Sequence, residues 1–329
     1  MNITSKFLIA ISTLVLTNKA FGQTQDSVAR KIIAAAANKF AEARTLNFEF
    51  VGSGPYNFTS KLQDGTKLPD GRTTKWTQFK ADANINFIKT NSWIIGTQLN
   101  YRMTSIDGAL NEPLAATPSM LNGNFQYFQG ALNVTRITRL FGKTAVLIGS
   151  ASMDASDRKF ERFRGLFGGT LMLKADAQTK MSVGFVVNID PSSQLPALPI
   201  FTYEHHFDNN LVIDVTLPKS IFLRKQVFQR GRVSIGSEFD RTSFYLYNLD
   251  KSGKTFEFNQ VDLNNGIVYE HLLYNYFILT LKGGLKTSLS PRTFDRNGSY
   301  RDPVWEASVK PSAYFNIGIS FNPFARKKQ

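Results

Sequence analysis

The chain has 329 residues, 42% of them hydrophobic, 13% aromatic and 19% charged, with a formal net charge of +14. A mean hydropathy of −0.19 excludes a polytopic helical membrane protein, which needs several apolar runs of about 20 residues. The 28 Phe exclude an ordinary disordered chain, and the lack of any Cys excludes disulfides, Cys-ligated zinc and Cys nucleophiles.

Residues 1–22 read as a secretory signal peptide. Lys6 is basic, Phe7 to Leu16 form an apolar stretch, and Ala20-Phe21-Gly22 places small residues before a mature N-terminus at Gln23. Ten apolar residues make about 15 Å of helix, too short for a membrane anchor. Loss of this segment, with its two Lys, leaves a charge of +12. Export argues against a nucleic-acid partner and favours anionic lipid or anionic solutes.

Residues 23–44 form the next unit. Val28, Ile32, Ile33, Ala36 and Phe40 recur at helical spacing, with Asp26 or Ser27 as a cap. The pattern predicts a short amphipathic helix, in the periplasm or plugging a lumen, or else a weakly ordered leader.

From residue 45 to 324 the chain alternates with period two. Phe79, Ala81, Ala83, Ile85 and Phe87 oppose Gln78, Lys80, Asp82, Asn84 and Asn86. Trp93, Ile95, Leu99, Tyr101 and Met103 oppose Gln98, Asn100 and Arg102. Phe277, Leu279, Leu281, Leu285 and Leu289 oppose Thr280, Lys282, Lys286 and Ser288. A soluble β-sandwich alternates too, but its strands are mostly about 5–6 residues long. These runs are longer and carry charge in mid-strand, which suits a transmembrane barrel, apolar toward lipid and polar toward the lumen. Trp76, Trp93 and Trp305 fall near predicted strand ends, as interfacial aromatics do.

Short links at 89–91, 141–143, 177–179, 208–210, 228–230 and 272–274 alternate with longer ones at 58–74, 105–123, 155–161, 191–198, 248–257 and 290–302. Barrels of this kind have short periplasmic turns and longer outer loops. Reading 211–227 as two short strands that turn at Pro218-Lys219 gives 14 strands with both termini periplasmic; reading it as one strand and omitting 46–57 gives 12. The fold class is therefore all-β, a closed antiparallel transmembrane β-barrel of 14 strands, 12 being the alternative, with a short N-terminal helix. One barrel domain spans 45–324 and a basic tail 325–329.

The last strand alternates Phe315, Ile317, Ile319 and Phe321 with Asn316, Gly318 and Ser320, followed by Phe324. This resembles the C-terminal signal by which outer-membrane barrels are recognised for assembly, with Pro323 and the tail as departures. With that terminus, the overall layout and the segments LPKSIFLRK and GSEFDRTSFYLYN, the chain resembles the uncharacterised outer-membrane β-barrel proteins of Bacteroidota. The resemblance implies an outer-membrane location and a barrel fold, and carries no site residues. Implied partners are outer-membrane lipid, lipopolysaccharide and the barrel-assembly machinery.

No catalytic, cofactor or metal residues emerge. His205, His206 and His271 lie by predicted periplasmic turns among Tyr203, Phe207, Tyr269 and Tyr274, and read as members of an interfacial girdle. Gly165, Gly168 and Gly169 lie within a strand and open no helix, so a phosphate loop is not expected. Arg158, Lys159, Arg162 and Arg164 cluster beside an outer loop; Lys219, Arg224, Lys225, Arg230 and Arg232 cluster near the short hairpin. Candidate lumen-lining charges are Lys80, Asp82, Arg102, Asp214, Lys282 and Lys286, expected to give weak anion preference. The expected function is passive passage or uptake of a small solute, without enzymatic activity; a non-conducting structural or adhesive barrel is the alternative, and a membrane hydrolase the third. Arg at outward Leu279 or Phe185 is expected to impair assembly, and Arg at inward Ser288 to be tolerated.

Overall fold

The computed structural model describes residues 28–112, 119–190, 193–249 and 253–325. The expected signal peptide, the Gln23 terminus, the capping residues Asp26 and Ser27 and the tail from 326 lie outside the described residues. A helix, α1 (Val28–Lys39), and a 3-10 turn (Ala41–Ala43) precede sixteen strand segments. These are β1 (Leu46–Ser53), β2 (Tyr56–Leu62), β3 (Lys67–Lys89), β4 (Trp93–Leu110), β5 (Asn122–Leu140), β6 (Lys143–Ala155), β7 (Phe160–Ala175) and β8 (Thr179–Ile189). They continue as β9 (Ala197–His206), β10 (Leu211–Leu217), β11 (Ser220–Val227), β12 (Gly231–Tyr247), β13 (Thr255–Leu272), β14 (Phe277–Asp295), β15 (Trp305–Val309) and β16 (Ser312–Phe321).

The segments make a closed barrel of 14 antiparallel strands. Two barrel strands are each broken once by proline, which has no N–H to give to a ladder. β1 and β2 hold one register against β3 across Gly54-Pro55: Ser53 faces Trp76 and Tyr56 faces Thr73. β15 and β16 hold one register against β14 across Lys310-Pro311, with Thr293 facing Trp305 and Lys286 facing Ser312. The first and last strands pair directly, so both breaks lie in the closing seam. Gly54 N–H to Ala313 O (2.8 Å) and Lys310 N–H to Asn57 O (3.0 Å) bracket them. The strands run further into the loops than the sequence reading has it: 58–74 reduces to a turn at 63–66 between β2 and β3.

Alternation sorts the two faces of the wall. Phe50, Leu132, Phe167, Phe185, Ile235, Leu285 and Ile317 face outward and are exposed, while Asn47, Gln78, Asp82, Asp214, Ser234 and Asn316 face inward and are buried. An apolar outer band around a polar interior is what a bilayer requires of a barrel. No helix among the described residues is long and apolar enough to cross a membrane.

The wall is uneven. β3 has 23 residues, whereas β10 has 7 and β11 has 8. Seven residues rise about 23 Å, roughly 18 Å along the axis at the usual tilt, short of the ~25 Å apolar band. β11 therefore supports β12 only as far as Glu238, and from Arg241 upward β12 is paired with β13 alone. Just below, Gly236, Gly266 and Gly284 sit side by side across β12, β13 and β14. A Cβ on Gly266 would overlap the Gly283 carbonyl, and one on Gly284 the Asn265 carbonyl. This row lets the wall bend sharply, as glycine does at barrel corners. A bulge between Asn259 and Val261 adds to the bend.

Above the row the β12–β13 hairpin folds into the barrel, and both its faces become buried. Phe244, Leu246, Phe256 and Phe258 pack on one side against Trp76, Ile106, Met120, Leu121 and Trp305. Phe244 stacks on Phe125 of β5, across the interior, with ring centroids 4.2 Å apart. Trp76 and Trp305 are thus interior residues, not girdle residues. Their bulk is satisfied by the folded hairpin instead of an interface, and Trp93 alone of the three is exposed.

Three outcomes follow for assembly. Gly266→Val should prevent the bend and abolish the heat-modifiable folded band in electrophoresis, whereas Gly149→Val, with open space at its Cβ, should leave it intact. Phe185→Arg on the outer face should cost roughly 2–4 kcal/mol in denaturant unfolding if near mid-bilayer. Ser288→Arg should be comparably damaging, contrary to the sequence expectation, because Ser288 is buried and donates to Asp262 (2.6 Å).

Candidate functional site: the barrel interior

The helix α1 occupies the short-turn end of the interior. Among the described residues its apolar packing is confined to Ala29, Ile32 and Ile33, which meet Ile94 and Ile137 on β4 and β5. Polar contacts dominate at its C-terminus, where the last carbonyls of any helix lack internal partners and the dipole is negative. Three arginines answer them. Arg44 Nε donates to Ala37 O (3.1 Å), Arg232 Nη2 to Asn38 O (2.7 Å) and Arg224 Nη2 to Lys39 O (3.5 Å). Lys39 itself pairs with Asp214 (2.5 Å), which Arg224 also holds (2.9 Å). Arg44, almost wholly buried, pairs with Glu270 and donates to Ser320 Oγ (3.0 Å). Arg232 Nε reaches the second Glu270 oxygen at 2.9 Å. Lys219, from the β10–β11 turn, pairs with Glu42. A small cavity of about 30 Å³ remains between Phe40, Glu42 and Lys282.

The six candidate lumen charges all point inward, each with a partner. Lys80 and Arg102 pair with Asp240 of the folded hairpin, Arg102 at 3.2 Å. Asp82 accepts from Asn47 (3.0 Å), and Asp214 holds Lys39 and Arg224. Lys282 pairs with Glu238 (2.6 Å), and Lys286 lies 3.7 Å from Asp262 and 3.4 Å from the Trp76 ring centre. The four positive charges among them thus meet the carboxylates Asp240, Glu238 and Asp262.

The hairpin's other face is polar. Glu257, fully buried, accepts from Arg164 (2.9 Å), and Arg162 pairs with Asp190 (2.9 Å). Arg164 also pairs with Asp154 and Asp190, and donates to Tyr245 Oη (3.3 Å). Arg296 pairs with Glu161 (3.0 Å), which accepts from Tyr247. Arg162 and Arg164 therefore turn into the barrel, and Arg158 and Lys159 lie over the Tyr247 ring.

The histidines lie at the short-turn rim. His205 is outward, stacked with Tyr203 and 2.9 Å from Thr179 Oγ1. His206 is inward, 3.0 Å from Glu204, and His271 is 2.9 Å from Tyr269 Oη. Among the described residues no His, Asp and Glu form a group that could hold a metal ion.

Fold and interior define a transmembrane β-barrel plugged from both ends by its own chain. No protein-family model and no curated protein matches the sequence. Solved structures of similar shape include outer-membrane barrels. A Pseudomonas aeruginosa FadL homologue is 8% identical, over 88% of this chain and 94% of that one, with a TM-score of 0.40. The transport unit of the autotransporter AIDA-I from Escherichia coli is 11% identical, over 95% and 97%, at 0.34. The outer membrane phospholipase of Salmonella typhi is 10% identical, over 83% and 91%, at 0.31. Identities this low transfer no activity.

Glu270 anchors the plug through two arginines. Glu270→Gln should leave both without their countercharge, at a cost of about 3–5 kcal/mol. Trypsin should then cut at Lys39 or Arg44 in the folded barrel. The same change at Glu306, whose partner Lys61 is half exposed, should not open those sites.

Proposed function

We propose that the protein is an outer-membrane barrel for passive passage or uptake of a small solute, closed at rest by residues 28–45. The observation that carries this reading is the manner in which the helix is held. Its C-terminal half is fixed by ion pairs and arginine-to-carbonyl bonds, and among the described residues its apolar packing involves only a few side chains. Water replaces such polar contacts at small net cost, whereas an apolar plug must expose its surface to leave. The six inward charges and their partners leave little net field on the route, so selectivity between small anions and cations is weak on this reading.

The proposed location rests on the apolar outer band, the alternating last strand and the signal-like first 22 residues. The proposed partners remain outer-membrane lipid, lipopolysaccharide and the assembly machinery. A permanently sealed structural barrel is the second reading, favoured by the apolar cluster around Phe244 and Trp305 at the long-loop end. Planar-bilayer conductance separates the two. Current steps that are rare in the full mature chain and frequent after deletion of residues 23–44 are the expected result. A folded deletion variant that never conducts would overturn the passage reading.

A further inference from the structure

The β10–β11 hairpin stops while the lipid-facing band beside it continues. β9 pairs with β10 no further than Phe201, so Ala197–Ile200 have no strand neighbour on that side. The last bond from β11 to β12 is Phe239 N–H to Lys219 O (2.8 Å). Between these two edges the wall has no strand among the described residues, and Pro199 lies in the free edge, where prolines are tolerated. Val183 on β8 faces Phe201 and so marks the height of the turn. Outward-facing Phe185, Val187 and Ile189 extend about 20 Å further along β8, with Ile189 66% exposed and Phe163 on β7 68% exposed. The gap therefore opens at the depth of the hydrocarbon, not above it.

The interior surface behind this gap has an unusual chemistry. Elsewhere the inward positions in the membrane-facing part of the wall are mainly polar and often charged, but here Val146, Ile148, Leu166, Val186, Leu198 and Ile200 are interspersed only with small or neutral groups such as Ser150, Gly168, Gly184 and Asn188. Their facing follows from register: Ile148 lies opposite Thr135 and Gly168, Leu166 opposite Ser150 and Asn188, Val186 opposite Leu198, and Ile200 opposite Gly184. Ile148 points into the barrel and is nonetheless 38% exposed, so the folded hairpin and α1 do not fill this side. The compartment is bounded above by the paired belt of Arg162, Arg164, Asp190 and Glu257. Below, Val146 lies opposite Ile137, which packs on α1. A half-open surface without charge and with six aliphatic side chains, facing the bilayer through a side gap, suits an apolar guest. Every charge in the belt is met by an opposite one, which favours an uncharged guest over an ionised one.

We propose that this compartment binds an uncharged lipophilic small molecule that enters sideways from the bilayer through the gap between β9 and β12. The proposal deepens the passage reading by naming the class of solute, and it rests on that reading only for onward transfer. The full mature chain in lipid nanodiscs is titrated with the neutral fluorophore N-phenyl-1-naphthylamine. Saturable binding above that of empty discs is expected, weakened at least tenfold by Ile148→Asn with Leu198→Asn and abolished by the space-filling Ile148→Trp. Because the chain has no Cys, Ile200→Cys reports the entry route: a lipid-tethered maleimide should label it, and prior fluorophore should slow the labelling. Absence of saturable binding, or unchanged binding in variants that keep the folded electrophoretic band, would overturn the proposal. So would an Ile200→Cys that the lipid-tethered reagent does not reach. Planar-bilayer conductance of the same variants separates the two readings. Binding without conductance in the deletion variant leaves the side-entry site standing and removes passage; conductance without binding does the reverse.

Discussion

Backbone amides in hydrocarbon must find partners within the protein, and a strand that stops halfway up a barrel withdraws them from both neighbours. The seven- and eight-residue β10 and β11 impose that condition here. β12 and β13 answer it by curling inward together, with β13 still paired to β14 as far as Phe256–Asp295. The pair bends at Gly236 and Gly266, keeps its mutual ladder from Gly231–His271 to Tyr247–Thr255, and buries both faces in the interior. The apolar core at the long-loop end, the charged belt on the opposite side and the free edge of β9 are all consequences of one shortened hairpin.

The interior is stabilised in two different ways. At the long-loop end Phe244, Phe256, Phe258, Trp76 and Trp305 form a packed apolar core like that of a soluble domain. Deleting such side chains usually costs about 3–5 kcal/mol each. At the short-turn end α1 is held by arginines on its terminal carbonyls and by carboxylates that neutralise them. Ion pairs in a low-dielectric interior add little net stability but fix geometry, and removing one partner is costly. On the passage reading the first end stays and the second is released, so this asymmetry gives that reading its physical content.

Most of the barrel was legible in the sequence, because lipid on one side and polar groups on the other enforce strict alternation in β4, β14 and β16. The strand count followed from turn lengths, and the helix from the spacing of Val28, Ile32 and Ile33. The inward hairpin was not legible. Its segments Ser243-Phe-Tyr-Leu-Tyr247 and Thr255-Phe-Glu-Phe258 do not alternate cleanly, since each face meets protein; that lapse was the available signal. Trp76 and Trp305 were misplaced for the same reason: proximity to strand ends suggests a membrane interface, and nothing local reveals that a remote hairpin covers them. The inward charges were found on the correct face, but the neutralisation of Lys80 and Arg102 depends on Asp240, whose strand is distant in sequence. The apolar inward patch around Ile148 required the register of four strands.

The inward position of the β12–β13 hairpin is the claim on which the rest stands, and the contact between β5 and β12 tests it most directly. Phe125→Cys with Phe244→Cys places the only two thiols of the chain on strands that face each other across the barrel. A short bismaleimide should bridge them within one folded molecule and shift its mobility on unfolding. If each single variant reacts with the reagent but the folded double variant never bridges, the hairpin stands in the wall and the plugged barrel described above is contradicted.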